Sequence, residues 1–456
     1  MSLIGVSLLG NSFIQDSNPN WIKIDNIVVG ESSIYGYSTV NSNGDIGSLL
    51  NKLSQDPKVV CLVYNWSSNT GYVKTGFNLS ASTDYKVSSG YTTFILKNKV
   101  QYYYKPNIQP TPTPTLTKFV KYDNTKGNFV LNNNKFVPVG FNAYWLGYTE
   151  NYNYPNTIQV DEMFDVALKM SATVIRSHTL GFSSGSPNSL RPSNNYLNAD
   201  AWKAIDYAFY KAKQTGVKLI CPMTDAYNYF NGNYGDYCKT RGIDKNQFFT
   251  NQYVRNDFKQ YINQWLNHTN SYTGIQIKNS PELFIIELGN ELGNIRPDSN
   301  STILPTQDWI SDISKYIKSL DANHLVMSCS DECLGSSTSN DFNINSIDVY
   351  SSHFYGQDYN RINYGANYSA GVGKPYIIGE ASSGFNSDFT SNILSNSNVK
   401  GIVFWSMYPH QNGPGSNLVI HDDGFTLHYP EDYDRLLNWT NYFRQAQNLP
   451  KLNSLN

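Results

Sequence analysis

Short apolar runs alternate with amphipathic stretches through residues 118–456 of the chain. Each run is short enough for a buried strand, and several of the stretches between them repeat apolar positions at helical spacing. The strand candidates are residues 136–142, 173–176, 217–221, 283–287, 324–327, 347–351, 375–379 and 401–405. The helix candidates are residues 160–171, 200–215, 247–266 and 309–320. Eight alternations predict an α/β fold of the (β/α)8 TIM barrel type, whereas a doubly wound open sheet would lack polar groups at nearly every strand end.

A segment rich in Pro and Thr separates this region from the beginning of the chain. It occupies residues 106–117, and such a run is stiff, extended and excluded from a hydrophobic core. The preceding residues contain short β-branched and aromatic runs at 21–24, 59–64, 71–74 and 93–97, and one helical stretch at 46–53. The sequence therefore predicts a small, mostly-β accessory domain (1–105), a linker (106–117) and the barrel (118–456). A tethered domain of this size is typical of a binding module, and a folded spacer without a ligand is the alternative.

Composition limits the kinds of partner the chain can have. The 456 residues carry a formal net charge of −2, and 15% of them are charged, against about 25% in typical soluble domains. No basic field points to nucleic acid or an anionic membrane, and no apolar run is long enough to cross a bilayer. The surface is rich in Asn, Ser, Thr and Tyr, which suits a neutral, hydroxyl-rich ligand; a biased genome composition is the alternative. We expect a monomer that binds neither nucleic acid nor membrane.

Several Asn-x-Ser/Thr sequons favour a secreted, glycosylated protein. They begin at Asn65, Asn78, Asn267, Asn300, Asn367 and Asn438. The first residues contain no basic region and only a short apolar stretch, which is not the pattern of a signal peptide. We therefore expect secretion with the leader already removed.

The five cysteines are an odd number, so at least one is unpaired if the others form bridges. Cys329 and Cys333 are close enough in sequence to bridge, and so are Cys221 and Cys238. The chain has no cysteine and histidine pattern of a zinc site, no His-Glu-x-x-His, and no Gly-rich phosphate loop after a strand. We expect neither a metal nor a cofactor.

Two glutamates stand at the ends of strand-like runs. Glu291 follows the fourth run, which ends at Glu287, and Glu380 ends the seventh. Barrel active sites form at the carboxyl ends of the strands, where the fourth and seventh ends face each other across the mouth. Glycoside hydrolysis requires two such carboxylates: one protonates the leaving oxygen, and the other attacks the sugar carbon or activates a water. Glu287 lies deeper on the same strand, and we interpret it as a structural carboxylate with buried partners.

A wider set of strand-end residues resembles glycoside hydrolase family 5, within a large clan of retaining barrels. The set consists of Arg176, Asn290, Glu291, His353, Tyr355, Glu380 and Trp405. The stretches 140–146, 272–274 with 287–291, and 401–408 resemble those of family 5 β-mannanases, so that the resemblance covers residues 119–445. It implies that Glu291, in an Asn-Glu pair ending the fourth strand, is the acid/base, and that Glu380 is the nucleophile. It also implies the carboxyl separation of a retaining enzyme, about 5–5.5 Å.

One loop departs from the mannanase pattern. Thr224–Tyr229 stands where these enzymes commonly carry Asn-Asn-Trp, and Leu292 replaces the Pro that commonly follows the acid/base. Because the loop after the third strand would help form the sugar subsites, the departure leaves the substrate and the mode of cleavage open.

The remaining strand-end residues have roles that follow from this assignment. Arg176 and Tyr355 would keep Glu380 ionised by donating hydrogen bonds, and His353 would orient the acid/base or a sugar hydroxyl. Asn290 would bind a sugar 2-hydroxyl, and Trp405 would be the floor on which the reacting sugar stacks. Further substrate contacts are expected from Trp145, Asn142, Asp225, Asn228, His178 and His410.

The function predicted from these residues is endo-cleavage of β-1,4-linked mannan-type polysaccharide by a retaining glycoside hydrolase. An endoglucanase or an exo-β-mannosidase on the same barrel is the alternative. A protein that binds polysaccharide without cutting it is disfavoured, because both carboxylates and their supporting arginine are present. The accessory domain would then be a carbohydrate-binding module.

Overall fold

The chain divides into two compact units, Met1–Thr115 and Leu116–Asn456, in a computed structural model. The structure describes residues 14–18, 21–29, 36–41, 46–55, 59, 61–65, 67–68, 70–74 and 85–96 of the first unit. In the second unit it describes residues 119–292, 304–328, 344–411, 418, 421 and 423–455. The linker predicted at residues 106–117 lies outside these ranges.

In the described part of the first unit, six strands form one antiparallel sheet beside a single helix. The elements are β1 (Ile14–Asn18), β2 (Trp21–Val29), β3 (Gly36–Asn41), α1 (Ile46–Leu53), β4 (Cys61–Asn65), β5 (Thr70–Lys74) and β6 (Tyr85–Leu96). The strand order is β1-β2-β6-β4-β5-β3. Apolar side chains of α1 pack against β4 and β5, as between Leu50, Leu62 and Val73. The described part of the unit is mostly β.

The second unit begins with a small antiparallel sheet that packs on the barrel. It comprises β7 (Lys121–Asp123), β8 (Asn128–Leu131) and β9 (Asn134–Phe136). Phe129 and Phe136 contact Phe284, near the start of a barrel strand, with ring centroids 5.2 and 5.4 Å apart. This sheet therefore covers the amino-terminal end of the barrel, opposite the end where barrel active sites form.

Eight parallel strands form the barrel, which confirms the predicted fold. They are β10 (Val139–Asn142), β11 (Val174–Arg176), β12 (Lys218–Pro222), β13 (Leu283–Glu287), β14 (Leu325–Met327), β15 (Tyr350–Phe354), β16 (Tyr376–Ser382) and β17 (Val399–Trp405). Neighbours in this order pair in parallel except β14 and β15, and β17 pairs with β10. A parallel bridge between Met327 and Val349 joins the fifth and sixth strands and closes the ring.

Helices follow most of these strands. They are α2 (Thr157–Lys169), α3 (His178–Gly181), α4 (Ala199–Thr215), α5 (Gly235–Lys239), α6 (Gln252–Asn267), α7 (Gln307–Leu320), α8 (Tyr359–Gly371), α9 (Ser387–Ser395) and α10 (Tyr433–Ala446). Single 3-10 turns occupy Lys245–Gln247 and Ile277–Asn279, and β18 (Met407–Tyr408) pairs with β19 (Leu427–His428). Asn156, Asn198, Asn251 and Asn386 accept backbone N–H groups at helix starts, so part of the asparagine content is structural.

The sixth strand begins and ends later in the chain than predicted. The apolar run predicted a strand at residues 347–351, whereas β15 spans Tyr350–Phe354. Its last part carries Ser352 and His353, which are buried although they are polar. Hydrophobic pattern underestimates a strand where it enters the functional site, because the site residues break the apolar run.

Cys221 and Cys238, which are close enough in sequence to bridge, do not do so. Both residues are buried free thiols, one on β12 and the other on α5. Cys329 and Cys333 lie outside the described residues. No helix among the described residues has the length and apolar character needed to span a membrane.

Candidate active site

A cavity of about 500 Å³ opens at the carboxyl ends of the barrel strands. Its walls combine aromatic rings with a few carboxyl, amide and imidazole groups, which is the composition of a small-molecule pocket. The lining consists of Tyr144, His178, Asp225, Tyr227, Tyr229, Phe230, Asn231, Asn290, Glu291, Tyr355, Glu380, Trp405, His421, Asp423 and Phe425.

Glu291 and Glu380 come together in this cavity. Glu380 lies within β16, and Glu291 follows β13, where a bridge between Asp225 and Asn290 fixes the chain. Glu291 has a left-handed backbone (φ 51°), a conformation that costs a non-glycine residue about 1–2 kcal/mol. One oxygen of each carboxylate and a ring nitrogen of His353 all lie within 4.8 Å of one another. Both carboxylates can therefore reach the same bond of a ligand in the cavity.

Arg176 ties together the ends of four barrel strands. It is fully buried at the end of β11, and its Nε and Nη2 atoms donate to the two oxygens of Glu287 at 2.8 and 3.0 Å. Its Nη1 atom donates to Glu380 at 2.8 Å and to Asn142 at 3.0 Å, and Nη2 also donates to Asn290 at 2.8 Å. Burial opposes the charge, but the two carboxylates raise the pKa of Arg176. Glu287 is thus a structural carboxylate with a buried partner, as interpreted from the sequence.

Glu380 has a hydrogen-bond donor on each oxygen. Arg176 donates to Oε1, and the Tyr355 hydroxyl donates to Oε2. Burial favours the neutral acid, but the charge of His353 and the neighbouring His178 and Arg176 outweigh it and hold the pKa of Glu380 well below its usual range. Burial and the charge of Glu380 raise the pKa of Tyr355 well above its usual range, so its hydroxyl keeps the proton. Glu380 is therefore ionised and fixed in place.

Glu291 shares a proton with His353. The Nδ1 atom of His353 lies 2.7 Å from Glu291 Oε1 and 3.5 Å from Glu380 Oε2. Burial alone would lower the pKa of His353, but the two carboxylates raise it to about 9. Burial would raise the pKa of Glu291, but the hydrogen bond and charge of His353 hold it below its usual value. At neutral pH one proton therefore lies in the hydrogen bond between His353 Nδ1 and Glu291 Oε1.

The loop after β12 holds the other side of Glu291. The Tyr227 hydroxyl donates to Glu291 Oε2 at 2.6 Å. Asp225 accepts from Asn290 Nδ2 at 3.1 Å and from the backbone N–H of Tyr227 at 3.0 Å. Burial nevertheless raises the pKa of Asp225 to about 7. This is the stretch in which the sequence departs from the mannanase pattern, and here it positions both Asn290 and Glu291.

His178 is a neutral member of the site. Its Nε2 atom lies 2.9 Å from Arg176 Nη1 and 3.6 Å from Glu380 Oε1. Nδ1 lies 3.7 Å from Asp225 Oδ2. Burial lowers the pKa of His178 to about 4, in agreement with a neutral ring.

Trp405 presents a fixed aromatic ring to the cavity. It ends β17, and its indole N–H donates to Asp423 Oδ2 at 2.6 Å. Tyr144 stacks on it, with ring centroids 5.0 Å apart and planes inclined by 11°. The hydrogen bond and the stacking hold the indole in one orientation, which suits it to pack against the apolar face of a ligand ring.

Two residues expected to contact substrate lie outside the cavity wall. Asn142 is fully buried, accepts from Arg176, and donates from Nδ2 to the carbonyls of Gly379 and Phe404, both at 3.1 Å. Trp145 is 1% exposed, and its indole is not part of the cavity wall. Both lie at strand ends, but position along a strand does not determine whether a side chain faces the cavity or its supports.

Two further residues expected to contact substrate, both on loops, also lie outside the cavity wall. Asn228 is exposed and does not line the cavity, although its neighbours Tyr227 and Tyr229 do. His410 also lies outside the lining, and its Nδ1 atom contacts the Glu162 carboxylate at 2.6 Å. The turn of each loop decides which of its residues reach the cavity, and a linear pattern does not reveal that turn.

The sequence did not predict several of the residues that line the cavity. They are Tyr144, Tyr227, Tyr229, Phe230, Asn231, His421, Asp423 and Phe425. Most lie on the loops after β12 and β17. A density of aromatic residues beside the carboxyl end of a barrel strand was the available signal, and Tyr227–Phe230 carries it.

Glu291, His353 and Glu380 are also the one group among the described residues whose ligand atoms are close enough to hold a metal ion. The three are already bonded to one another and to Arg176 and Tyr355. A protonated imidazole has no lone pair for a metal, so this set is better suited to proton transfer.

Comparison with known proteins finds similarity to β-mannosidases and mannanases. Residues 194–369 match the family model of GH family 5 beta-mannosidase-like proteins. The matched residues lie within the barrel unit, which resembles glycoside hydrolase family 5. It is 33% identical over 208 residues to mannan endo-1,4-beta-mannosidase 7 of Arabidopsis thaliana, covering 44% of this chain and 47% of that protein. It is 28% identical over 321 residues to mannan endo-1,4-beta-mannosidase 4 of Solanum lycopersicum, covering 69% and 68%.

The barrel fold is also found in solved structures. The endo-1,4-beta-mannanase of Rhizomucor miehei superimposes with a TM-score of 0.61 at 24% identity, covering 73% of this chain and all of that one. At this identity the likeness supports the fold. The chain spans about half the length of the Arabidopsis thaliana mannan endo-1,4-beta-mannosidases that it matches.

Proposed function

We propose that this protein is a retaining glycoside hydrolase that cleaves β-1,4-linked mannan-type polysaccharide. The observation that carries the proposal is the Glu291–Glu380 pair, whose oxygens approach within 4.8 Å beside a cavity. A retaining mechanism uses carboxyl groups about 5–5.5 Å apart, whereas an inverting one needs about 6.5–9.5 Å to admit a water. The pair is therefore suited to attack by one carboxylate and proton donation by the other.

The first step would form a glycosyl-enzyme ester. A carboxylate oxygen of Glu380 attacks the anomeric carbon, and the bond from that carbon to the glycosidic oxygen breaks. Glu291 gives the leaving oxygen the proton that it shares with His353, so the leaving sugar departs as an alcohol. Arg176 and Tyr355 hold Glu380 for attack, and Trp405 supports the ring.

The second step would return the protein to its starting state. Glu291, now without the proton, removes one from a water as the water oxygen attacks the anomeric carbon. The ester bond to Glu380 breaks, and the carboxylate regains its hydrogen bonds from Arg176 and Tyr355. Two displacements at one carbon give a product with the original configuration.

Mannan is proposed as the substrate because the curated relatives are named mannan endo-1,4-beta-mannosidases. Their names support endo-cleavage, the mode predicted from the sequence. Exo-cleavage is the second candidate, and the geometry of one cavity wall favours it, as argued below. Asp225, His178 and Asn290 supply polar groups for sugar hydroxyls.

The proposal also covers the cellular setting and the assembly of the enzyme. A secreted glycoprotein would fit the sequons, of which Asn367 and Asn438 are exposed. We expect a monomer, with the first unit acting as a carbohydrate-binding module. Treatment of the native protein with an endoglycosidase tests glycosylation, and light scattering tests the monomer.

A panel of polysaccharides tests the proposed activity. β-Mannan should yield new reducing ends while carboxymethylcellulose yields few, and Glu380→Gln should abolish the reaction. Glu431→Gln, at an exposed glutamate, is the matched control and should retain it. A preference for carboxymethylcellulose would indicate an endoglucanase, and binding of mannan without any product would contradict an enzymatic role.

A further inference from the structure

Three loops meet to form one wall of the cavity. Glu150 comes from the loop after β10, Tyr229 from the loop after β12, and His421 from the chain after β17. The Tyr229 hydroxyl donates to Glu150 Oε2 at 3.2 Å, and the Tyr229 and His421 rings contact each other with centroids 4.6 Å apart. Tyr144 also donates to Glu150. We refer to Glu150, Tyr229 and His421 as the loop wall.

The loop wall crosses the mouth of the barrel on the side of its first two strands. It joins a loop of the third strand to the chain after the eighth, and these strands flank the first and second in the ring. Tyr229 and His421 line the cavity, so their contact bounds the space in which a ligand lies. Rings at van der Waals separation leave no passage for a sugar ring between them. A polysaccharide therefore cannot run through the cavity in that direction.

The wall adjoins the part of the cavity beside Glu380. The sugar that Glu380 would attack would lie there. Trp405 lies on the strand next to that of Glu380 and carries a hydrogen bond to Asp423. His421 Nε2 lies 3.7 Å from the same carboxylate, and Tyr144 contacts both Trp405 and His421. The indole on which the attacked sugar would stack is thus continuous with the wall. Glu291, which would protonate the departing sugar, is held by the separate contacts of Tyr227 and His353.

We propose that the loop wall ends the binding cleft on the glycone side, so that the enzyme binds the non-reducing end of a β-1,4-mannan-type chain and cuts close to that end. This inference rests on the proposed function and narrows it from cleavage at internal sites to release of one or two sugars. The wall is polar where it meets the cavity: the Tyr229 hydroxyl and the His421 ring offer hydrogen bonds. Such groups suit the free hydroxyl of a terminal sugar, which an internal sugar lacks because its oxygen is in a glycosidic bond.

The test uses mannohexaose carrying a fluorophore at its reducing end, digested by the full-length protein and sampled early. Cutting near the non-reducing end predicts labelled products shortened by one or two sugars, together with unlabelled mannose or mannobiose. Labelled fragments of one to three sugars as the first products would overturn the inference while leaving the hydrolase intact. Absence of any hydrolysis would instead refute the proposed function, and the inference with it.

Variants of the wall give a second arm. Tyr229→Ala combined with His421→Ala should open the cleft and shift early products toward internal cuts. Tyr229→Phe keeps the ring and should leave the cutting position near the end. Tyr253→Ala, at a tyrosine 68% exposed elsewhere on the barrel, is the matched control. An unchanged product pattern in a folded double variant would overturn the wall as the determinant, and the wild-type digest decides the proposal if that variant does not fold.

Discussion

At the scale of single residues, the site depends on buried charges that balance one another. Arg176 neutralises Glu287 and Glu380 together, and His353 contributes the second positive charge beside the carboxylates. Each ion would be costly to bury alone, so the group is stable only as a set. The same balance fixes the protonation that catalysis needs: Glu380 is charged, and a proton lies beside Glu291.

Loss of the Arg176 fork should damage both stability and activity. Arg176→Lys keeps one positive charge but cannot bond to Glu287 and Glu380 together in the same plane. Breaking a buried pair of this kind costs about 3–5 kcal/mol, and we expect that loss in the free energy of unfolding together with nearly complete loss of hydrolysis. Chemical denaturation and a mannan assay measure the two. Arg435→Lys, at a partly exposed surface pair, should change neither.

The proton shared by Glu291 and His353 predicts the alkaline limb of the pH profile. The pKa of His353 is raised to about 9, so the pair holds its proton below that pH and loses it as the pH rises through it. Above this point kcat/KM should fall about tenfold per pH unit, because the leaving oxygen has no donor. In His353→Asn the proton must reside on Glu291 alone, so the limb should move to lower pH. An unmoved limb would assign the proton elsewhere.

The sequence was sufficient to predict the charged residues at the centre of the site, but not all of the residues of its walls. Arg176, Glu291 and Glu380 were found because polar groups at the ends of apolar runs stand out. Trp145 and Tyr144 are neighbours on one turn, yet only Tyr144 reaches the cavity. That distinction depends on how the loop after β10 folds over the barrel, which is a tertiary property.

At the scale of elements, the barrel requires close approach of its first two strands. A Cβ atom at Gly140 on β10 would lie 1.8 Å from the carbonyl oxygen of Val174 on β11. Hence the stretch 140–146 begins with a glycine for a reason of packing. The strands carry Asn142 and Arg176 in register, two residues further along each, so this approach also positions the site.

Gly140→Ala should therefore disrupt folding far more than an ordinary glycine substitution. Its side chain would clash with backbone, which cannot move without breaking the pairing of β10 with β11. The comparison is Gly216→Ala at the end of α4, where no atom lies within 4 Å and only the left-handed backbone (φ 80°) is strained, at about 1–2 kcal/mol. Thermal unfolding of both variants measures the difference. Equal stabilities would contradict the packing argument.

The alternation of strands and helices was predictable because burial on both faces makes parallel strands continuously apolar. The ends of elements were less so. β15 and β16 extend into polar residues, His353 and Ser382, that a hydrophobic pattern assigns to loops. The closing bridge of the barrel, between Met327 and Val349, has no sequence signal.

At the scale of the whole molecule, the proposed chemistry lies within one of the two units. All lining residues of the cavity fall between Tyr144 and Phe425, inside the unit Leu116–Asn456. Residues 116–456 alone should therefore fold and hydrolyse soluble manno-oligosaccharides at close to the rate of the full chain. Removal of the first unit should lower only the binding of insoluble mannan, measured by co-sedimentation. Loss of activity on soluble substrate would show that the barrel unit does not suffice.

In the proposed mechanism, Glu380 attacks the sugar and forms a covalent intermediate. Incubation with 2-deoxy-2-fluoro-β-mannosyl fluoride, which forms such an ester quickly and releases it slowly, followed by peptide mapping by mass spectrometry, tests it directly. We expect one fluoromannosyl group per chain, on the peptide that contains Glu380. A label on Glu291 or on any other residue would contradict the account.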